Sequence, residues 1–326
     1  MIDVAIVGGG PSGLAVAIDC TKNGLSYVIL EKGALVDAIR RFPINMVFFT
    51  TPDLLEIGDL PLVTGRDKPT RLEALKYYRR VAEHYRLRLR LYEKVEAVRP
   101  VNGHFELQTS YQRGQEGRPA SVSARKLVLA MGYYDNPNRL DIPGENLAKV
   151  SHYYTEAHPY FGLDVAVIGG ANSAAETALD LYRSGVSVTL IHRGAELSSH
   201  IKYWVRPDIQ NRIDRGEIRA HLETDVVEIL PEKLRLRHQN GKVYEIANDA
   251  VLALTGYHPD YGFLKAIGIE VDDRSGKPRV DPETCETNVA GVYLAGGIVA
   301  GKQTNQIFIE NGRFHGAKIV EHIIRR

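Results

Sequence analysis

The chain has 326 residues, 44% of them hydrophobic and 25% charged, with 41 basic against 40 acidic side chains and a formal charge of +1. That balance lacks the basic excess of a nucleic-acid or anionic-membrane binder, and the length fits two modest α/β domains better than one small module. Two cysteines, Cys20 and Cys285, exclude a disulfide framework and make a reducing cytoplasm the expected setting. No run of about 18 apolar residues offers a membrane span, and the start, Met1–Val7, lacks the basic lead and cleavage site of a signal peptide.

The first predicted element is a buried strand, Ile2–Val7. It runs into Gly8-Gly9-Gly10-Pro11-Ser12-Gly13, then an amphipathic helix that Gly24 ends, then a second strand through Val28-Ile29-Leu30 to Glu31. Each glycine has a separate task. Gly8 permits the tight strand-to-helix turn, Gly10 lets backbone approach a pyrophosphate, and Gly13 allows close packing of helix on strand. The helix start then offers free N–H groups and the positive end of its dipole to phosphates. Further on, Arg86–Leu91 alternates strictly and predicts a half-buried strand with a basic face. Ser110–Ser123 reads as a hairpin tip, and Lys126–Tyr133 as a buried strand running into Gly132. Asn136–Gly144, rich in proline, reads as an extended crossing segment.

The chain then repeats itself. Leu163–Glu176 echoes Ile2–Ala15, with Asp164 for Asp3, Gly169 for Gly8, and Gly185 later for Gly24; the offset of 161 positions persists without a gap. Each copy predicts one βαβ unit, and two such units imply two nucleotide sites. Strands ending in glycine follow at Val251–Tyr257 and Gly291–Gly297, and Ile307–Gly316 reads as a glycine-flanked helix closing the first domain. The expected organisation is two Rossmann-like, three-layer ββα domains in an α/β fold. Residues 1–133 and 256–326 form the first and residues 134–255 the second.

The copies differ at the end of their second strand, which carries Glu31 in one and His192-Arg193 in the other. A carboxylate there accepts hydrogen bonds from an unmodified ribose diol and repels a 2′-phosphate, whereas imidazole and guanidinium do the reverse. The first site is thus expected to hold an adenosine without a 2′-phosphate, as in FAD, and the second NADPH rather than NADH. His152, His158 and His200 are candidate acids on the substrate side. No His/Cys/carboxylate cluster has metal-ligand spacing, and no G-x-S-x-G elbow is present.

On these motifs the chain resembles the bacillithiol disulfide reductase family of thioredoxin-reductase-like flavoproteins over its full length. The matching stretches include Gly8–Gly13, Phe48–Gly58, His152-Tyr153-Tyr154, His158-Pro159-Tyr160, Gly169–Glu176, Lys202–Asp208 and Ile307–Gly316. The resemblance implies a cytoplasmic homodimer that reduces a small-molecule disulfide, with FAD in the first domain and NADPH in the second. Carried over by position, FAD would lie on Gly8, Gly10, Pro11, Ser12, Gly13, Glu31 and Lys32. Val95 and Gly132 would flank it, and Phe49, Thr50 and Gly297 would lie towards the flavin. NADPH would take Gly169, Gly170, Ala171, Asn172, Ser173, Ala174, His192, Arg193 and Gly256.

Two departures bear on the chemistry. Thioredoxin reductases carry a Cys-x-x-Cys just before the second glycine motif, but Ser151–Phe161 contains no cysteine. The bacillithiol family has a cysteine inside the first glycine motif, where this chain has Ser12, and a hydroxyl forms no mixed disulfide. No catalytic residue is therefore assigned. Alternative readings are a ferredoxin- or flavodoxin–NADP reductase, whose partner is a small electron-carrier protein, a flavin monooxygenase, and a non-enzymatic nucleotide sensor.

Overall fold

The computed structural model describes residues 1–113 and 118–326. The tip of the expected 110–123 hairpin, residues 114–117, lies outside the described residues; its flanks pair antiparallel as a hairpin requires. The chain forms two compact units, residues 1–136 with 257–326, and residues 137–256. In order, the first contains β1 (Ile2–Val7), α1 (Pro11–Lys22), β2 (Tyr27–Glu31), α2 (Asp37–Arg40), α3 (Pro52–Leu55), α4 (Arg71–His84), β3 (Leu89–Leu91), β4 (Glu93–Val101), β5 (His104–Tyr111) and β6 (Pro119–Leu129). The second contains β7 (Val150–Ser151), β8 (Asp164–Ile168), α5 (Asn172–Arg183), β9 (Ser187–Ile191), α6 (Arg206–Asp214), β10 (Arg219–His221), β11 (Thr224–Ile229), β12 (Lys233–His238), β13 (Val243–Ala247) and β14 (Ala250–Ala253). The first unit resumes with α7 (Tyr261–Ala266), β15 (Val292–Leu294), α8 (Ile309–Gly312) and α9 (His315–Arg325).

In the first unit a seven-stranded sheet runs β3-β2-β1-β6-β5-β4, with β15 also on β6. Its centre is parallel, and β1 and β2 are nearly continuous apolar runs buried on both faces, as parallel strands between helical layers must be. β6 changes role along its length: its first half pairs antiparallel with β5 and its second half parallel with β1, Ala124 serving both. In the second unit a five-stranded parallel sheet, β10-β9-β8-β14-β7, is accompanied by the antiparallel trio β11-β12-β13.

The repeat extends to single hydrogen bonds. The Ser26 hydroxyl donates to the Asp3 carboxylate at 2.6 Å, and Ser187 does the same to Asp164 at 2.6 Å. These serine bonds are the largest influence holding each aspartate below the ordinary carboxylate range. Gly8 N–H donates to the Leu30 carbonyl and Gly169 N–H to that of Ile191, at 2.9 and 3.0 Å. α1 and α5 each begin on an extended residue, Gly10 or Ala171, and stop at Gly24 or Gly185, both with positive φ.

Two sequence expectations are corrected. The alternating segment Arg86–Leu91 yields a strand only at Leu89–Leu91, because Arg86 turns to φ +49 to close α4, a helix started by a Thr70–Glu73 capping box. The helix expected across Ile307–Gly316 divides into α8 and α9. At the end of α8, a side chain at Gly312 would press on Gly296 Cα and Ser12 Oγ at 3.1 and 3.2 Å, so the backbone there is held against other segments.

A Cβ placed on Gly13 would collide with the Gly8 carbonyl oxygen, and Gly8 itself sits at φ +110 against the Ala130 carbonyl. The position equivalent to Gly13 is taken by Ala174, a buried residue of α5 that carries the methyl group Gly13 has no room for. Gly13→Ala is therefore expected to cost about 1–3 kcal/mol by overpacking, read as a lower urea midpoint. Ala174→Gly should cost only about 1 kcal/mol of helix propensity. Equal losses in the two variants would refute the asymmetry.

Candidate functional site

In the first unit the glycine turn opens at the carboxyl end of β1, where open α/β sheets bind ligands. A Cβ on Gly10 would meet nothing within 4 Å, so the space in front of the α1 N-terminus is clear at the point where a pyrophosphate would approach. Pro11 fills the first helical position, where no N–H is needed. The next N–H groups lack partners within the helix and carry its positive dipole end. A dinucleotide pyrophosphate fits this geometry.

Glu31 is 8% exposed at the end of β2. Its two oxygens accept the N–H groups of Gly9 and Gly33, each at 2.7 Å. Burial is the largest influence on this carboxyl and outweighs both bonds, pushing it above its ordinary range. Lys32 pairs with Asp135 at 2.9 Å, and Asp135 also binds Arg41. Gly132 has φ +65 and open space beside it. Val95 is buried at the irregularity in β4 and packs in the same apolar cluster as Leu30.

Phe49 meets Phe308 edge-on at 5.4 Å, and buried Thr50 is hydrogen-bonded to the Glu310 carboxyl, which burial pushes upward. A side chain at Gly297 would strike the Tyr133 ring at 2.7 Å. The Tyr133 hydroxyl donates to the Thr304 carbonyl at 3.3 Å. A Cβ on Gly296 would run into Ser12. Sequence reasoning overlooked Gly9, Tyr133, Asp135, Gly296, Glu310 and His315. Gly9 stood within the glycine motif, Glu310 and His315 within the matching stretch Ile307–Gly316, and Tyr133 and Gly296 at the ends of recognised strands; Asp135 had no such signal.

In the second unit Gly169, at φ +146, lies against the Leu254 carbonyl, and a Cβ there would sit 3.1 Å from Ala174 Cβ. Asn172 is occupied: its amide donates to the His200 carbonyl at 3.0 Å and accepts Lys202 N–H at 2.9 Å. The Gly170 carbonyl accepts Ser198 N–H at 2.8 Å, so the 198–202 segment is strapped to the turn. Ser173 stays exposed in the first turn of α5. The His192 ring lies where side chains on Gly170 or Gly194 would be. Burial first and Arg193 second lower the His192 pKa, so it is neutral at neutral pH, while Arg193 points to solvent. Gly256, at φ +92, accepts Asn138 N–H at 2.9 Å through its carbonyl.

The three candidate histidines differ in setting. His152 is buried with Nε2 3.3 Å from Glu145, whose carboxylate receives the N–H groups of Leu140 and Asp141. It has the surroundings of a structural residue. His158 and His200 are exposed. Among the described residues no cluster of His, Cys, Asp and Glu could hold a metal, and no helix is long and apolar enough to cross a membrane.

Comparison with known proteins places residues 5–296 under the family model described as pyridine nucleotide-disulphide oxidoreductase. The bacilliredoxin reductase Bdr of Bacillus subtilis is 42% identical over 322 residues, 98% of this chain and 97% of that protein. The solved structure of bacillithiol disulfide reductase Bdr from Bacillus cereus superposes with a TM-score of 0.97 at 42% identity, covering 100% of this chain and 99% of the other. The thioredoxin reductase of T. acidophilum, at 22% identity and TM-score 0.76 over 99% and 98% of the two chains, shares the fold.

Neither cysteine is placed for redox work. Cys20 is fully buried in α1, where burial pushes its thiol to about 12. Cys285 is 4% exposed at φ +59, its thiol raised by burial to about 11. The thiolate is the reactive form, so the native protein should show less than about one-tenth of a reactive thiol per chain towards an aromatic disulfide at pH 7. Both thiols should titrate in denaturant. Rapid reaction of either native thiol would contradict this burial.

Proposed function

We propose that this chain, which belongs to the pyridine nucleotide-disulphide oxidoreductases and within them to the bacillithiol disulfide reductases, passes electrons from NADPH through FAD to a low-molecular-weight disulfide of the bacillithiol type. It is a flavoprotein oxidoreductase. The observation carrying the cofactor assignment is the opposite chemistry at equivalent strand ends. Glu31 folds onto Gly9 with both oxygens committed as acceptors, while His192 lies over Gly170 beside an exposed Arg193.

In this reading Gly8, Gly10, Pro11, Ser12 and Gly13 hold the FAD pyrophosphate by backbone N–H groups and close approach, and Glu31 accepts the adenosine ribose hydroxyls. Lys32, Val95 and Gly132 border the same nucleotide; Phe49, Thr50 and Gly297 border the flavin. Gly169, Gly170, Ala171, Asn172, Ser173 and Ala174 take the NADPH pyrophosphate, with Gly256 alongside. Arg193 donates to the 2′-phosphate, and neutral His192 adds a donor without a repelling charge. FAD, once bound, supplies the two-electron chemistry. The protein binds, orients and excludes water. Ser12 cannot take the role of a cysteine, so the disulfide is reduced without a protein thiol. The buried, unpaired cysteines suit a reducing cytoplasm, and the family resemblance supports a homodimer.

The decisive experiment is anaerobic reduction of the flavin-loaded protein by one equivalent of NADPH, followed by bacillithiol disulfide. The flavin should bleach and then recover its oxidised spectrum. A flavin that stays reduced with the disulfide but is reoxidised by ferredoxin would replace this reading with a ferredoxin reductase. Arg193→Ala should raise the KM for NADPH about tenfold, the loss of one charge-assisted hydrogen bond, and leave that for NADH nearly unchanged. An unaltered NADPH preference would overturn the 2′-phosphate assignment.

A further inference from the structure

Three segments distant in sequence converge behind the first glycine turn. β15 ends beside β6, and Ala295 N–H donates to the Leu129 carbonyl at 2.9 Å. The turn after it thus emerges at the same sheet end as the turn after β1, since β1, β6 and β15 run parallel. Gly296, at φ +78, has no room for a side chain because Ser12 occupies that space. Gly312, at the end of α8, closes on the same two residues from the C-terminal side.

One side chain fixes the Gly296 peptide. The His315 Nδ1 accepts Gly296 N–H at 3.0 Å. His315 begins α9, and its neighbour Gly316 lies directly on α1, where an added Cβ would sit 2.9 Å from backbone atoms of Ala15 and Val16 and 2.5 Å from the Asp19 carboxylate. The imidazole is therefore anchored to the helix whose N-terminus faces the dinucleotide. It reaches from that helix to the turn opposite. Burial first and the Lys318 ammonium second lower the imidazole's pKa, which keeps Nδ1 free to accept at neutral pH.

We propose that His315 is a positioning residue for the flavin site: by accepting Gly296 N–H it locks the Gly296–Gly297 turn against Ser12 and so sets the affinity for FAD. This rests on the reading that the first unit binds FAD. Without the acceptor the Gly296 N–H is left unpaired in a half-buried place, and the turn gains freedom to swing away from Ser12. Nothing about the role requires a charged histidine or a proton transfer. It requires an acceptor on the γ-carbon of residue 315.

That requirement gives the test. Apoprotein is prepared for the wild type and for His315→Asn, His315→Gln and His315→Leu, and FAD is titrated by flavin fluorescence. Asn Oδ1 stands where His Nδ1 stands, so His315→Asn should bind FAD within about threefold of the wild type, whereas Leu lacks the acceptor and Gln carries it one bond too far. Both should bind at least about tenfold more weakly, the cost of one lost hydrogen bond with a stranded donor. A purely packing role would make Asn as weak as Leu, and either that result or wild-type affinity in His315→Leu would overturn the proposal. If His315→Leu fails to fold, the Asn and Gln pair decides by the same criterion. Wild-type protein that takes up no FAD would overturn the parent reading and this one with it. Tight wild-type binding that none of the three variants alters would overturn the role of His315 alone.

Discussion

Gly13 lies over the carbonyl oxygen of Gly8 with no space for a methyl group, and Gly8 in turn lies over the carbonyl of Ala130. These backbone-on-backbone contacts hold α1 on β1 and β1 beside the residue that follows β6 with no room for a methyl group between them. The rest of the first unit follows from that closeness. It points the α1 N-terminus across the end of the sheet, brings Glu31 from β2 within reach of Gly9 N–H, and leaves Gly10 facing open space. Each of these would shift if the helix stood one methyl group further from the sheet.

The second unit solves the same geometric problem with two glycines fewer, Ala171 standing for Gly10 and Ala174 for Gly13. The bonds Gly8–Leu30 and Ser26–Asp3 reappear as Gly169–Ile191 and Ser187–Asp164, so the two βαβ units agree at the level of individual donors and acceptors. Besides the two alanines, they diverge in what fills the notch beside the middle of the turn. One notch receives a carboxylate and the other an imidazole, and in each case the residue opposite must be glycine: Gly9 for Glu31, Gly170 for His192. Scaffold and ligand preference are thereby separable. The first is written in the glycines and strand ends, the second in the side chain that leans over them.

What could be read from the sequence was whatever had a local period or a local repeat. The two βαβ units and the strands β6, β14 and β15 followed from apolar runs punctuated by glycine, and the contrast of Glu31 with His192 followed from their alignment; α4, α6 and the trio β11-β12-β13 were not read. Contacts between remote segments left no such trace. Nothing local marks that Ser12 abuts Gly296 and Gly312, that Asp135 joins Lys32 to Arg41, or that Thr50 bonds to Glu310. The two misread elements have the same origin. Leu89–Leu91 is shorter than its alternation because a capped helix upstream takes Arg86, and the Ile307–Gly316 helix breaks where Gly312 meets two other segments. Periodicity describes a segment in isolation, and both outcomes were decided by neighbours.

The burial of both sulfurs carries a consequence for the protein's own chemistry. Peroxides and hypohalous acids attack thiolates far faster than thiols, and with Cys20 and Cys285 held protonated, the fold presents no cysteine for sulfenylation, glutathionylation or intermolecular cross-linking. A relay built on a low-pKa cysteine can be capped by the oxidants whose products it clears. A serine at position 12 gives up that relay and its vulnerability together, leaving no sulfur at the glycine turn for an oxidant to cap.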